Sequence, residues 1–385
     1  WATWIVVIAL SAAALTWIFR GEIIRAVTIL VVFCPCAFIL ATPTAVLAGI
    51  GNAAKYGMIV RSGNALERLS KIKRIAFDKT GTLTYGKPQV TAAVSVNNAF
   101  SDADVLRIAA LTEQKSEHPL GKAIVSAYQQ KGGILETTEN FRVIAGQGVS
   151  AKVDGKTVFA GKKDFMLARD IDVAAAASDV KAELEKGATI IYLAAEHTLL
   201  GFIALRDTLR EDAKETLEKL KTLGITPMLL TGDNEHAARA IAESVGIEDV
   251  RANLLPEEKM NVIKGYAGSS EPICMVGDGV NDALALSSAD AGIAMGGIGS
   301  DIAVESADAV LVSDDIKRLP YLFGLMKKVM KKVQVNIIVS LIINLTAVLL
   351  SAFGILTPVT GALWHNFGSV FVVVNAALLL RLKDK

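Results

Sequence analysis

The stretch Ile75–Thr84, IAFDKTGTLT, concentrates chemistry in ten residues. Its apolar run, Ile75–Phe77, stops at Asp78, and Lys79, Thr80, Gly81 and Thr82 follow. A strand that ends on a carboxylate, before a Gly/Thr turn, puts that carboxylate at the carboxyl edge of a sheet, where open α/β sheets keep their chemistry. There it can attack phosphorus and form an aspartyl-phosphate, splitting one hard hydrolysis into two easier steps. An Asp before a turn also serves as a plain N-cap, and a bare D-x-T leaves both uses open.

Three more stretches have the same grammar. Thr231, Gly232, Asp233 and Asn234 follow the apolar run Met228–Leu230. Gly277–Asp282, GDGVND, follows Ile273–Val276 and supplies Asp278, Asn281 and Asp282. Lys259 sits in LLPEEK. Phosphoryl transfer needs placed cations and donors around a multiply charged group. The Thr231 hydroxyl and the Gly232 amide can hold phosphate oxygens, and Lys259 can neutralise charge. Asp78 and Asp278 together can hold Mg²⁺, a hard ion that prefers oxygen. Singly, each of these is an ordinary turn.

A different chemistry lies at Cys34, Pro35 and Cys36, inside a stretch without charge. Proline removes a helical hydrogen bond and kinks the chain. Two thiols beside such a kink suit a soft or borderline metal ion. Far downstream, His365 lies in another uncharged stretch, with Asn336, Asn344, Asn366 and Ser369. Polar groups at membrane depth are costly and face the bundle interior. His365 is a natural third ligand; an interfacial histidine beside Trp364 is the plainer use. Cys274, within an apolar run, reads as core.

The elements that must position these groups are of two kinds. The chain has 385 residues, 52% hydrophobic yet 21% charged, which suggests membrane spans attached to a soluble body. The net charge of +1 gives no case for nucleic acid. Three cysteines make no disulfide framework and point to a reducing compartment. Ala2–Phe19 and Ala26–Ala54 carry no charge, nor does Val333–Leu380, which Gly354–Gly361 divides in two. Basic residues crowd at Lys55–Arg74 and at Lys327–Lys332, so the region between the hairpins is expected in the cytosol. The chain begins at Trp1, directly in apolar sequence and with no signal-peptide features, and is expected to be a fragment or a trimmed product.

Between the hairpins, short apolar runs alternate with helical patterns, which predicts a parallel, doubly wound sheet. Residues 55–86 and 201–318 are expected to form it. Residues 87–200 read as a spliced-in α+β lobe, and residues 1–54 and 319–385 as the membrane hairpins.

The seven residues DKTGTLT resemble the phosphorylation motif of P-type ATPases. With TGD and GDGVND in order, each at a strand end, the sheet resembles the haloacid-dehalogenase-type phosphorylation domain. That resemblance implies a catalytic set of Asp78, Lys79, Thr80, Thr231, Gly232, Asp233, Lys259, Asp278, Asn281 and Asp282, with Mg²⁺ held by Asp78, Thr80 and Asp278. The CPC motif resembles the ion site of the heavy-metal branch, where Cys34, Cys36 and His365 would take the transported ion. SEHP (Ser116–Pro119) and GQGV (Gly146–Val149) resemble that branch's nucleotide site, which implies ATP contacts from Glu113, His118, Gly146, Gly148 and Gly161. The family's usual Gly-Asn pair is here Gly161–Lys162.

The implied whole is an α/β haloacid-dehalogenase-like phosphorylation domain with an inserted α+β nucleotide-binding domain and four transmembrane helices. It would export a transition metal across a membrane, expected to be the bacterial plasma membrane, using ATP. At the place of His365, zinc and cadmium members typically carry Asp, copper(I) members Met and a cobalt-type group His. Histidine suits a divalent ion wanting four ligands, which favours zinc or cadmium, with cobalt or copper(I) as alternatives. Nothing in the chain matches TGE, the actuator loop that positions water for dephosphorylation, so the chain is expected to be a carboxy-terminal portion, partnered in the intact protein by that missing domain and by membrane lipid. A membrane-tethered phosphatase and a passive metal-binding module are the alternatives from other classes.

Overall fold

The computed structural model describes residues 2–384 except 35, 145, 234, 267, 279–281 and 298–300, with side chains from residue 7 onward. Pro35, Asn234 and Asn281, named above for a kink and for the catalytic set, therefore lie outside the described residues.

Among the described residues, three apolar helical stretches have the length and hydropathy to cross a bilayer: Ile23–Lys55, Arg318–Ala352 and Pro358–Arg381. The first helix, Ala2–Arg20, has 19 residues, about 28 Å at 1.5 Å per residue, close to the hydrocarbon thickness. The stretch Ile23–Lys55 is two helices, Ile23–Val32 and Cys36–Lys55, so the cysteines flank a break. Ser351 and Thr28 bond back to the carbonyls four residues earlier, as buried hydroxyls in an apolar helix must. The last helix opens on a capping box between Thr357 and Thr360, with Pro358 at its first position.

Among the described residues, thirteen strands follow one another as β1 (Met58–Val60), β2 (Arg74–Asp78), β3 (Thr84–Ser95), β4 (Glu139–Ile144), β5 (Gly148–Val153), β6 (Lys156–Gly161), β7 (Thr189–Ala195), β8 (Thr198–Leu209), β9 (Thr226–Leu230), β10 (Asp249–Arg251), β11 (Ile273–Gly277), β12 (Ala291–Met295) and β13 (Ala309–Leu311). Seven of them form one sheet, in the order β1-β13-β12-β11-β2-β9-β10, parallel except for the β1–β13 pair. The strand next in chain order within this sheet after β2, β9, lies on one side of β2, and β11 lies on the other. The crossovers thus leave β2 in opposite directions, and a crevice opens at its carboxyl end. The buried Ile75, Ala76 and Phe77 fix β2 in the centre, and Asp78 becomes the first group past the core.

The other six strands form an antiparallel sheet, β3-β8-β7-β6-β5-β4. Helices Asp102–Glu113 and Pro119–Gln130 cover one face and bury Leu106, Leu111 and Ile124. Lys163–Leu167 and Ala177–Glu185 supply Phe165 and Val180 to the other. The boundaries drawn near residues 87 and 200 shift here. β3 and β8 are each 12 residues long and pair from Thr84↔Leu209 to Ser95↔Gly201, so both belong wholly to the second sheet. The reason is that an antiparallel ribbon continues as long as its partners do, and hydropathy marks no break within Leu199–Leu205.

One hydrophobic cluster joins Phe77 and Leu229 of the first sheet to Leu66, Phe323, Met326 and Val329, and then to Ala45, Ala48 and Ala376 of the apolar helices. The packing is close at Gly49, where an added Cβ would stand 2.5 Å from a methyl of Val329. Gly49→Ala is therefore expected to destabilise the protein by about 1–3 kcal/mol through overpacking. Thermal unfolding in detergent should show a lowered midpoint that Val329→Ala largely restores; no rescue would mean that the helices do not meet there.

Candidate functional site

Three constellations collect the residues named from the sequence. The first lies at the edge of the parallel sheet. Asp78 ends β2 and is 7% exposed, with one carboxylate oxygen accepting from the Thr80 N–H at 3.0 Å. The other oxygen takes the Lys259 ammonium at 2.5 Å, and the same ammonium reaches Asp282 at 2.9 Å. Lys259 comes from the helix Pro256–Tyr266 and Asp282 from the cap of the helix Ala283–Ser288. Oxygens of Asp78, Asp278 and Asp282 lie within 4.8 Å of one another. Gly81 turns the chain at a φ of +71°, and an added Cβ would stand 1.8 Å from Asp278, so the turn leaves room for glycine alone. Lys79 pairs with Asp233, and the Thr231 hydroxyl accepts the Asp233 N–H at 3.1 Å. Gly232 passes close to the Leu254 carbonyl. Thr80 joins only through its backbone N–H, its side chain being exposed.

Three carboxylates around one ammonium leave the cluster short of positive charge. Burial, then the charge of Asp282, pushes Asp78 up to about 6, against the pull of Lys259. Burial, then the charges of Asp78 and Asp282, pushes Asp278 up to about 7. Burial pushes Lys259 down, but its two carboxylate partners outweigh that and leave it raised. A crowded set of hard oxygen donors, two of them pushed upward by burial and by one another's charge, fits Mg²⁺.

Sequence reasoning missed the groups that hold the Asp78 loop from behind. The Arg210 guanidinium, 7% exposed, donates to the Thr82 carbonyl at 2.8 Å and to the Gly81 carbonyl at 3.2 Å, and lies over the Tyr85 ring. Asp207 accepts from the N–H groups of Gly86 at 3.1 Å and Lys87 at 3.0 Å, and from the Thr84 hydroxyl. The signal was RDTLR at the end of the apolar β8 run.

The second constellation is a cavity of about 580 Å³ in the antiparallel lobe, lined by Glu113, His118, Gly146, Gly148, Gly161 and Lys162 among others. The five residues named for a nucleotide thus come together. His118 caps the helix Pro119–Gln130, its Nδ1 accepting from the Leu120 N–H at 3.2 Å, which leaves Nε2 for a ligand. Glu113 is buried, and desolvation raises its pKa against a hydrogen bond from Ser116. Gly148 and Gly161 face each other across β5 and β6, and an added Cβ at either would strike a backbone carbonyl, at 2.2 and 2.6 Å. The bare backbones leave a flat slot.

The third lies among the apolar helices. Cys34, Cys36 and His365 bring sulfur and nitrogen atoms within 4.8 Å of one another. His365 is 8% exposed and its Nδ1 has no hydrogen-bond partner among the described residues. Asn344 donates to the Cys34 carbonyl at 3.5 Å. Toward the basic end, Lys332 donates to Asn375 at 2.6 Å, and Asn375 donates to Asn336 at 2.6 Å. The two cysteine sulfurs are drawn together as a disulfide. Their Cα atoms lie 5.5 Å apart, within reach of such a bond, and ion binding by this pair needs its reduction first. Cys274 is fully buried, and burial pushes its thiol well up, as befits core.

A family profile described as "Hydrolase: haloacid dehalogenase-like hydrolase" matches residues 72–290. A zinc-exporting P-type ATPase of Mycobacterium marinum is 38% identical over 96% of this chain and 51% of its own length. A manganese-exporting P-type ATPase of Mycobacterium tuberculosis is 38% identical over 96% of this chain and 52% of its own. The chain thus spans about half the length of these curated relatives. Among solved structures, a zinc-transporting PIB-type ATPase in the E2·Pi state superposes with a TM-score of 0.86, at 34% identity, over 99% of this chain and 62% of that one. The catalytic domain of a CPx-ATPase matches with a TM-score of 0.59 at 33% identity, over 72% of this chain and 98% of that one.

The raised carboxylates give a pH dependence. Their folded pKa values lie above the ordinary 3.8, so in the metal-free chain they contribute stability that is full below the unfolded value and is lost as pH rises through about 6 and about 7. Mg²⁺ competes with those protons. Calorimetry should show Mg²⁺ affinity weakening as pH falls below about 7, with proton release on binding. Asp278→Asn should remove most of that release; an unchanged proton count would take Asp278 out of the cation site.

Proposed function

The chain belongs to the haloacid dehalogenase-like hydrolases and, among them, to the heavy-metal P-type ATPases, and from that premise we propose that its intact protein exports a transition-metal ion at the expense of ATP through a phosphorylated Asp78. The observation that carries this reading is the Asp78 carboxylate, bonded to Lys259 and crowded by Asp278 and Asp282 at the end of β2. In this proposal a nucleotide occupies the antiparallel lobe against Glu113, His118, Gly146, Gly148 and Gly161. An oxygen of Asp78 attacks the terminal phosphorus of ATP; an acyl-phosphate O–P bond forms, the bond to the bridging oxygen breaks, and ADP leaves. Lys259, the Thr231 hydroxyl and the Gly232 N–H hold phosphate oxygens, while Lys79 and Asp233 fix the loop between them. Asn281 and Asp282 complete the set. Mg²⁺, when bound by Asp78, Thr80 and Asp278, neutralises phosphate charge.

The domain roles follow: residues 55–86 and 201–318 as the phosphorylation region, with the strand shift noted above, residues 87–200 for nucleotide, and the two hairpins for the ion. The protein is integral to a membrane; the placement of the large loop in the cytosol, and of the whole in a bacterial plasma membrane, rests on the basic flanks. Dephosphorylation is assigned to an actuator domain of the intact protein.

For the ion, reduced Cys34 and Cys36 with His365 give two soft donors and one imidazole. That set favours zinc or cadmium over manganese, a harder ion. The relatives' names divide among zinc, manganese, cadmium and copper at 37–38% identity, so the donor set carries the choice. Copper(I) and cobalt are the alternatives. A tethered phosphatase would have no use for an unpartnered buried imidazole beside two sulfurs.

Incubated with labelled ATP and Mg²⁺, the full-length protein should form an acid-stable, hydroxylamine-sensitive phosphoenzyme, and Asp78→Asn should abolish it. Label that persists in the variant would move the nucleophile elsewhere. His118→Gln should raise the KM for ATP about tenfold, the worth of one good hydrogen bond, while phosphorylation from inorganic phosphate survives. Equal loss of both reactions would separate His118 from the nucleotide.

For the ion site, Cys34→Ser and Cys36→Ser should each end metal-stimulated ATPase activity under reducing conditions. His365→Ala should impair stimulation by Zn²⁺ and Cd²⁺. If it leaves these intact while Cu⁺ or Mn²⁺ activates best, the zinc/cadmium assignment is wrong.

A further inference from the structure

At the basic end of the membrane helices, a groove of about 340 Å³ opens between Arg318–Ala352 and the turn Leu378–Arg381. Its rim carries Lys328, Lys331 and Lys332, and its floor is Val335, Leu378 and Leu382. The sequence alone sets its depth, because Lys332 is the last charge before the uncharged Val333–Leu380 and Arg381 is the first after it. The groove therefore straddles the boundary, with ammonium groups on the water side and apolar side chains on the hydrocarbon side. Val335 and Leu378 are 39% and 45% exposed, which is ordinary against lipid tails and costly against water.

The charges at this end are unevenly compensated. In the adjoining recess, Lys219 pairs with Glu215 and Lys317 with Asp212, while Asp384 is taken by Arg318. Among the described residues, no carboxylate reaches Lys328, Lys331 or Lys332, and of the three only Lys332 has a side-chain partner, the neutral Asn375. Three neighbouring ammonium groups repel one another, and a basic pocket between helices at the cytosolic level attracts anionic head groups.

We propose that this groove binds one anionic glycerophospholipid, its phosphodiester on Lys328 and Lys331 and the start of an acyl chain on Val335 and Leu378. A zwitterionic head group fits less well, since its own cation would enter a cluster of cations. Free phosphate would leave the apolar floor bare.

The test is lipid selectivity of the full-length protein in phosphatidylcholine bilayers, read by the motionally restricted fraction of spin-labelled phosphatidylglycerol against spin-labelled phosphatidylcholine. This readout involves neither ATP nor metal, so it stands apart from the transport reading. Phosphatidylglycerol should be preferred, and Lys328→Gln with Lys331→Gln should lower that preference by about fivefold for each charge removed. Val335→Trp, which fills the floor and leaves every charge, should lower it as well. An unchanged thermal unfolding midpoint of the double variant in detergent serves as the folding control. Equal selectivity in wild type and double variant would overturn the proposal, as would unaltered selectivity in Val335→Trp, displacement of the lipid by inorganic phosphate, or a cross-link from position 331 to another segment of the intact polypeptide.

Discussion

The structure turns on a deficit of positive charge at the end of one strand. Asp78, Asp278 and Asp282 converge within 4.8 Å, and Lys259 is the cation recorded among them. Left to themselves, such carboxylates take up protons or move apart. Here they cannot move apart. Asp78 is fixed by the parallel pairing of β2 with β9 and β11, and Asp278 leans over a Gly81 that no other residue could replace. The backbone thus holds three carboxylates together with less positive charge than they call for, an arrangement a hard cation would relieve. Arg210 is the counterpart behind the loop. Its buried guanidinium binds two carbonyls, so it anchors the Gly81–Thr82 backbone without neutralising the carboxylates in front.

The same logic applies in the apolar helices with different atoms. An imidazole nitrogen with no partner is costly at membrane depth, and Asn336, Asn344 and Asn375 show how the fold ordinarily meets that cost, by bonding to carbonyls or to one another. His365 lacks that remedy and has two sulfurs beside it. A pair of sulfurs beside an imidazole is a soft donor set only while both are thiols.

How much of this the sequence disclosed depends on distance along the chain. Asp78, Thr231 and Asp278 were legible because each follows a buried apolar run, and a parallel sheet brings such ends together without further information. The approach of His365 to Cys34 was not settled by sequence, because it depends on how Pro358–Ala377 packs against Cys36–Lys55. Asp207 and Arg210 were missed for a similar reason. They bond to backbone atoms more than a hundred residues upstream, and a backbone acceptor leaves no pattern in side chains. The edge expected near residue 200 falls within β8, whose apolar run carries no mark of where the antiparallel sheet ends. Gly148 and Gly161 were read as ligand positions; their opposition across β5 and β6 adds a packing reason, since any Cβ would strike a carbonyl.

The two halves of the molecule are joined to the catalytic sheet by different means. The antiparallel lobe is attached through the β3–β8 ribbon, whose root is pinned by hydrogen bonds from Gly86 and Lys87 to Asp207. The membrane helices are attached by packing. Leu66, Phe323 and Val329 run as one buried cluster from Phe77 to Ala48 and Ala376, with Gly49 allowing contact too close for any side chain. Packed interiors resist compression and transmit small displacements, whereas a two-stranded ribbon bends. A displacement at Asp78 therefore meets a stiff path toward the cysteine-bearing helix and a more compliant one toward the antiparallel lobe.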